Sequence, residues 1–184
     1  MTARTGAGPP RRLVVLRHAK SAWPDGVADH ERPLAPRGRR DAPAVGRALA
    51  AADCLPDLAL CSTAVRARQT WELTAAEWDT PPPVRHEARL YAADVPCLLE
   101  AVRDVPAGAG TLLLIGHNPG LEELILTLAG DGLDDALDDV RTKFPTAATA
   151  VLAWHGDAWA ALGPGSARLT NVILPRGRRK SPGD

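Results

Sequence analysis

Leu13-Val14-Val15-Leu16 runs without interruption into Arg17-His18. Four consecutive apolar residues that stop at a polar cluster predict a strand buried on both faces, of the kind found in parallel sheets. A chain that contains such a strand needs helices over both sides of its sheet, which commits it to a layered α/β arrangement. The same reading puts Arg17 and His18 where the strand ends, at the edge of an open α/β sheet where ligands bind. An imidazole beside a guanidinium suits phosphoryl chemistry. Arginine holds phosphate oxygens in a planar fork, and neutral histidine can attack phosphorus.

The rest of the chain repeats the alternation. Apolar runs at Leu58-Ala59-Leu60-Cys61 and Leu112-Leu113-Leu114-Ile115 predict two more strands, over residues 56–62 and 111–115, and residues 84–86 a shorter one. Between them lie helical patterns. Ala42, Val45, Leu49 and Ala52 recur within residues 36–52; Pro43 lacks an N–H, which moves the expected regular start towards Asp41 as the cap. Residues 64–78 form a second helix with Ser62 as N-cap. Residues 95–105 form a third, with Leu98, Leu99 and Val102 on one face. Over residues 118–129, Asn118 suits the N-cap, Pro119 the first helical position and Gly130 the stop. Leu121, Leu124, Ile125 and Leu128 make the buried stripe of that helix.

Residues 131–144 are acidic but lack the ligand spacing of a calcium loop, and read as a solvated turn or short helix. Residues 147–154 and 159–162 read as two strands joined by a turn at Gly156-Asp157, a hairpin that would make one edge of the sheet antiparallel. The expected fold is a three-layer α/β sandwich, a mostly parallel central sheet with helices on both faces. One domain is expected over residues 12–174, flanked by a disordered Gly/Pro-rich arm at 1–11 and a disordered basic tail at 175–184.

Composition narrows the function. The 22 basic and 22 acidic residues cancel, so bulk charge points to neither nucleic acid nor a membrane surface. No segment is apolar enough to span a bilayer, and the first residues hold no stretch of signal-peptide length. Three cysteines, Cys54, Cys61 and Cys97, include no CxxC pair, so neither a disulfide framework nor a zinc site follows. Reduced thiols in a cytoplasmic, monomeric protein are the expectation.

Two further turns share the chemistry of the first. Ser62-Thr63-Ala64-Val65-Arg66 leads from a strand into a helix whose N-terminus, with its free N–H groups and positive dipole, suits phosphate. Gly116-His117-Asn118-Pro119-Gly120 lies between another strand and helix. Arg17, His18, Arg66 and His117 therefore fall on one sheet edge, and the turns themselves supply no obvious carboxylate. Four potential cations brought together repel one another unless an anion is bound, and a phosphoryl group is the natural one. Ser21 and Asn118, at the same turns, are assigned to substrate binding. No metal-ligand cluster and no cofactor motif is present in the sequence.

These motifs carry a resemblance. Leu16-Arg17-His18-Ala19-Lys20-Ser21, the Ser62 to Thr70 segment with Arg66-Ala67-Arg68-Gln69-Thr70, and Gly116-His117 together resemble the histidine phosphatase, or phosphoglycerate-mutase-like, superfamily. Arg-His-Ala-Lys-Ser, Arg32-Pro33-Leu34 with Gly38, and Lys143-Phe144-Pro145-Thr146-Ala147 are similar to the SixA-type phosphohistidine phosphatases. The resemblance spans about residues 13–174. It implies His18 as a transiently phosphorylated nucleophile, and Arg17, Arg66 and His117 as ligands of the phosphoryl oxygens, without a metal.

One position departs from the superfamily pattern. Many members place a glutamate after the third strand as proton donor, where this chain has Ala92; Asp94, close by, reads as the cap of the next helix. The SixA-type members resemble this chain in lacking that acid. Phosphohistidine tolerates the gap because its second ring nitrogen can already carry a proton near neutral pH. Short connections after His18, His86 and Gly130 imply an open site that a protein surface could reach. The expected activity is removal of phosphate from phosphohistidine on proteins. The alternatives are a phosphatase for a small ester or anhydride, with Asp25, Asp94 or the substrate supplying the proton, and a phosphate-binding module without turnover.

Overall fold

The structure, a computed structural model, describes residues 9–132 and 134–175. Residues 1–8 and 176–184, which hold most of the expected arm and tail, lie outside the described residues. The elements follow in the order β1 (Arg11–Arg17), α1 (Pro36–Ala51), β2 (Leu58–Ser62), α2 (Val65–Ala75), β3 (Val84–Glu87), α3 (Val95–Arg103), β4 (Thr111–Gly116), α4 (Gly120–Leu128), β5 (Ala129–Gly132), α5 (Asp134–Thr142), β6 (Thr149–Trp154) and β7 (Ala167–Ile173). Short 3₁₀ turns occupy Asp29–Glu31, Ala88–Leu90 and Trp159–Ala161.

Seven strands form one sheet in the order β3-β2-β4-β1-β6-β7-β5. The pairs β3/β2, β2/β4, β4/β1 and β7/β5 are parallel, while β6 runs antiparallel to both neighbours, β1 and β7. The central strands divide their side chains between two cores, as the two-residue period of a strand requires. Leu13 and Val15 pack with α3, α4 and α5 residues such as Leu98, Leu121 and Val140 on one side. Val14 and Leu16 pack with Ala42, Val45 and Leu49 of α1 and Trp71 of α2 on the other. Each fully buried Leu or Val contributes about 1.5–3 kcal/mol. The three-layer sandwich expected from the sequence is the observed one.

Several local expectations give way. Helix α1 begins at Pro36, as the pattern over residues 36–52 predicts; only the later start towards Asp41 fails, and Pro43 lies inside the helix. Asp41 is buried within the helix and pairs with Arg37 at 3.2 Å. Burial of Gly38, Ala42, Val45, Gly46 and Leu49 holds the helix against the single backbone bond that Pro43 cannot make. Helix α2 is capped at Ala64 without a side-chain bond, and Ser62 lies before it. Helix α4 begins at Gly120 with Pro119 at the cap, and runs directly into β5 instead of stopping at Gly130. Of the two readings of the acidic segment, the short helix holds, as α5.

The expected hairpin is the largest correction. Trp159–Ala161 is a 3₁₀ turn, and the partner of β6 is β7. Trp159 is fully buried, donates its indole N–H to the Ala109 carbonyl at 2.8 Å and lies 6.0 Å from the Trp154 ring, so its apolar neighbourhood is core packing, not a strand. The alternation that marks β7 is visible in Ala167-Arg168-Leu169-Thr170, buried and exposed by turns. The antiparallel strand is thus inside the sheet and not at its edge.

Candidate active site

Strands β2, β4 and β1 are parallel neighbours, so their carboxyl ends share one edge of the sheet. Arg17 stands opposite Gly116, and Cys61 opposite Ile115. The turns that follow bring Arg17, His18, Arg66 and His117 to one pocket of about 180 Å³, where Ser21 and Asn118 join them. All six residues proposed from the sequence are brought together there.

His18 is buried, and its Nδ1 lies 2.8 Å from the Ala19 carbonyl oxygen. A carbonyl only accepts, so we assign the ring proton to Nδ1, which leaves the Nε2 lone pair free. Burial pushes the imidazole down to about 3, against the pull of the Ala19 bond; the nearby His117, Arg66 and Arg17 push the same way. The ring is therefore neutral at physiological pH. Its loop is tied down by Thr70, whose hydroxyl accepts from the Ala19 amide at 2.9 Å and donates to the Arg66 carbonyl at 2.7 Å. Gln69 accepts from the Leu34 amide at 2.8 Å. The adjacent Gln-Thr pair on α2 thus anchors both halves of the segment between β1 and α1.

The His117 ring stands 5.1 Å from that of His18, tilted by 53°. Its Nε2 lies 2.8 Å from the Ser62 hydroxyl, which also accepts from the Ala64 amide at 3.3 Å. A hydroxyl that donates its own proton to Nε2 leaves the His117 proton on Nδ1. That nitrogen is buried with no partner among the described residues. Burial, followed by the charge of Arg66, pushes His117 down to about 4. Ser62 is thus not a helix cap but the hydrogen-bond partner of this histidine.

Arg17 donates from Nη1 to the Phe144 carbonyl at 2.8 Å. Burial lowers its affinity for its proton, and Glu122 offsets this in part. Asn118 does not cap α4; its amide donates to the same Phe144 carbonyl at 3.0 Å and to Glu122 at 3.1 Å. The Ala147 amide donates to the carbonyls of Arg17 and His18, at 3.0 and 3.2 Å. The Lys143-Phe144-Pro145-Thr146-Ala147 segment therefore positions the end of β1 through its backbone.

A carboxylate does reach the cluster. Arg66 lies in the first turn of α2, and its guanidinium donates from Nη2 to Asp29 Oδ2 at 3.0 Å and from Nη1 to the Asp29 carbonyl. The Tyr91 hydroxyl donates to the same Oδ2 at 2.6 Å, and Arg32 donates to Oδ1 at 2.7 Å. These bonds, that of Tyr91 foremost, hold the Asp29 carboxyl well below the usual carboxylate range, while Asp29 raises the Tyr91 phenol. The Tyr91 ring also meets His117 edge-on at 5.5 Å. Neither Asp29 nor Tyr91 stands out in the sequence; the one signal is the three-residue spacing between Asp29 and Arg32.

Of the acids weighed as proton donors, Asp94 caps α3, accepting from the Cys97 amide at 3.1 Å, as its position after β3 suggested. Asp25 is exposed in a turn and does not line the pocket. Ala92 brings only a methyl group to an adjoining pocket of about 240 Å³ that shares His117 and Asn118. Among the described residues no group of three or more His, Cys, Asp or Glu side chains could hold a metal ion, and no helix is long and apolar enough to cross a membrane.

A profile of the histidine phosphatase superfamily (branch 1) matches residues 13–96. The chain is 44% identical over 163 residues to an uncharacterized protein of Mycobacterium tuberculosis, covering 88% of this chain and 100% of that one. A structure from Nakamurella multipartitia, provisionally named a phosphohistidine phosphatase SixA, superposes with a TM-score of 0.81 at 35% identity, covering 92% of this chain and 99% of the other. A protein from Agrobacterium tumefaciens with the same provisional name gives 0.76 at 28% identity, over 90% and 99% of the two chains.

Proposed function

The chain belongs to the histidine phosphatase superfamily and is of the SixA type, and from that premise we propose that it is a metal-independent phosphatase that takes the phosphoryl group from phosphohistidine on proteins. The observation that carries the reading is the His18 imidazole, neutral, with Nδ1 bonded to the Ala19 carbonyl, among two guanidiniums and a second imidazole.

The Nε2 lone pair of His18 attacks phosphorus as the bond from phosphorus to the substrate nitrogen breaks. The departing imidazole takes back that electron pair and leaves neutral, because its other nitrogen already carries a proton. Arg17, Arg66 and His117 bind the phosphoryl oxygens while negative charge spreads over them. Water then attacks the phosphorus on His18, the P–N bond to His18 breaks, and inorganic phosphate departs. The methyl group at Ala92 and the engagement of Asp94 as a helix cap support a leaving group that needs no acid.

Quenching the enzyme during turnover of a phosphohistidine protein tests the reading. Acid-labile phosphate should appear on the protein and be absent from His18→Ala. Acid-stable label, or label retained by that variant, would overturn it.

A further inference from the structure

We infer that Trp23, backed by Arg32, forms a stacking platform for a planar aromatic leaving group beside the phosphoryl site. The inference rests on the reading of that site given above.

Trp23 lies at the rim of the pocket that holds Arg17 and His18, and it is 73% exposed. An exposed tryptophan alone signifies little, but this one is held from beneath. The Arg32 guanidinium stacks on its ring at 3.1 Å from the centroid and is itself only 6% exposed. Arg32 in turn donates to Asp29 at 2.7 Å, to the Ser21 hydroxyl at 2.6 Å and to the Ala22 carbonyl at 3.0 Å. A buried guanidinium on one face leaves the other face of the indole as the one turned to solvent. The platform is ordered before any ligand arrives, which lowers the entropic cost of stacking on it.

Pocket size directs the leaving group outward. At about 180 Å³ the pocket is smaller than the roughly 300–1,000 Å³ of sites that enclose whole ligands. With the phosphoryl group among Arg17, His18, Arg66 and His117, the remainder of the substrate extends past the rim. Imidazole and phenyl rings present the same flat face to the indole there. The other way out passes Ala92 and Ala93 and meets the carboxylates of Asp94 and Glu123, with no aromatic ring in its lining apart from His117.

Inert phosphonates separate this inference from the catalytic reading, because they need no turnover. Phenylphosphonate should bind the wild-type protein about tenfold more tightly than methylphosphonate, measured by calorimetry. Trp23→Ala should bring the ratio of the two Kd values close to one, and Trp23→Phe should keep part of the preference. The ratio within one variant cancels any general damage to the phosphoryl site. A ratio indifferent to Trp23 overturns the platform and points to the Ala92 side. A Trp23→Ala defect confined to phosphohistidine within a folded protein, and absent for phenylphosphonate, also overturns it in favour of a protein-docking role. Failure of both phosphonates to bind the wild type would overturn the phosphoryl-site reading itself, and the platform with it.

Discussion

Asp29 Oδ2 stands 3.0 Å from the Arg66 guanidinium, so a residue in the loop after β1 holds an arginine carried by α2. This is the carboxylate that the turns at the strand ends lack. It lowers the repulsion among Arg17, Arg66 and the two imidazoles and fixes the direction of the Arg66 fork. It does not act as an acid at neutral pH, because Tyr91, Arg32 and Arg66 stabilise its ionised form.

Asp29→Asn separates these effects. The amide keeps the shape but has a single acceptor oxygen, so its NH2 must face either Arg32 or the Arg66 and Tyr91 donors without accepting from them, and the site loses one negative charge. Turnover should fall about tenfold, since small misplacement of a positioning group is costly. Inhibition by inorganic phosphate should become stronger, because the anion no longer faces a carboxylate. Steady-state kinetics with phosphate as inhibitor read both. Unchanged turnover would mean that Arg66 keeps its direction unaided.

The pH dependence of stability follows from the two buried histidines. In the folded protein His18 and His117 are pushed down to about 3 and about 4, below the ordinary value of about 6.5 that they have when unfolded. Between about pH 4 and 6.5 the unfolded chain binds more protons, so stability rises with pH. The contribution is fully present above 6.5 and is lost as pH falls. Each histidine adds a slope of at most about 1.4 kcal/mol per pH unit. Urea midpoints in phosphate-free buffer should drop from pH 7 to pH 5, and His18→Gln should remove a share of that drop.

Leaving groups should sort by basicity. Positioned proton donation is worth about 10² to 10⁴ in rate, and Ala92 cannot supply it. Phosphohistidine, phosphoramidate and activated aryl phosphates should therefore turn over well above glycerate or sugar phosphates. A panel of these substrates at neutral pH checks the order. Efficient cleavage of an unactivated alkyl phosphate would reveal a donor, and Asp25 and Asp94 would be the first to replace.

Gly38 supplies a test of the backbone contact between α1 and the loop that carries His18. A Cβ there would lie 2.2 Å from the Lys20 carbonyl oxygen and 2.9 Å from the Lys20 nitrogen, both backbone atoms. Helix propensity alone favours Gly38→Ala by up to about 1 kcal/mol. The contact should reverse that sign and destabilise the protein by about 1–3 kcal/mol. Chemical denaturation measures it; a more stable Gly38→Ala would show that α1 shifts freely.

Periodicity and the points where it stops were legible along the chain. Leu13 to Leu16, Leu58 to Cys61 and Leu112 to Ile115 are buried strands because both their faces are apolar, and Arg17, His18, Arg66 and His117 follow from where those runs end. These are properties of neighbouring residues, and the local physics of strand and helix decides them. Contacts between residues far apart in sequence were decided only when the chain closed on itself. Asp29 reaches Arg66 across 37 positions and Ser62 reaches His117 across 55, and no local pattern marks either pair. The caps expected at Ser62 and Asn118 failed because the fold starts each helix later: α2 begins at Val65, leaving the Ser62 hydroxyl to accept from the Ala64 amide and bond His117, and α4 begins at Gly120, leaving the Asn118 amide to the Phe144 carbonyl and Glu122. Trp159 read as a strand residue because burial and strand pairing both select apolar side chains; only its place against Ala109 and Trp154 tells them apart.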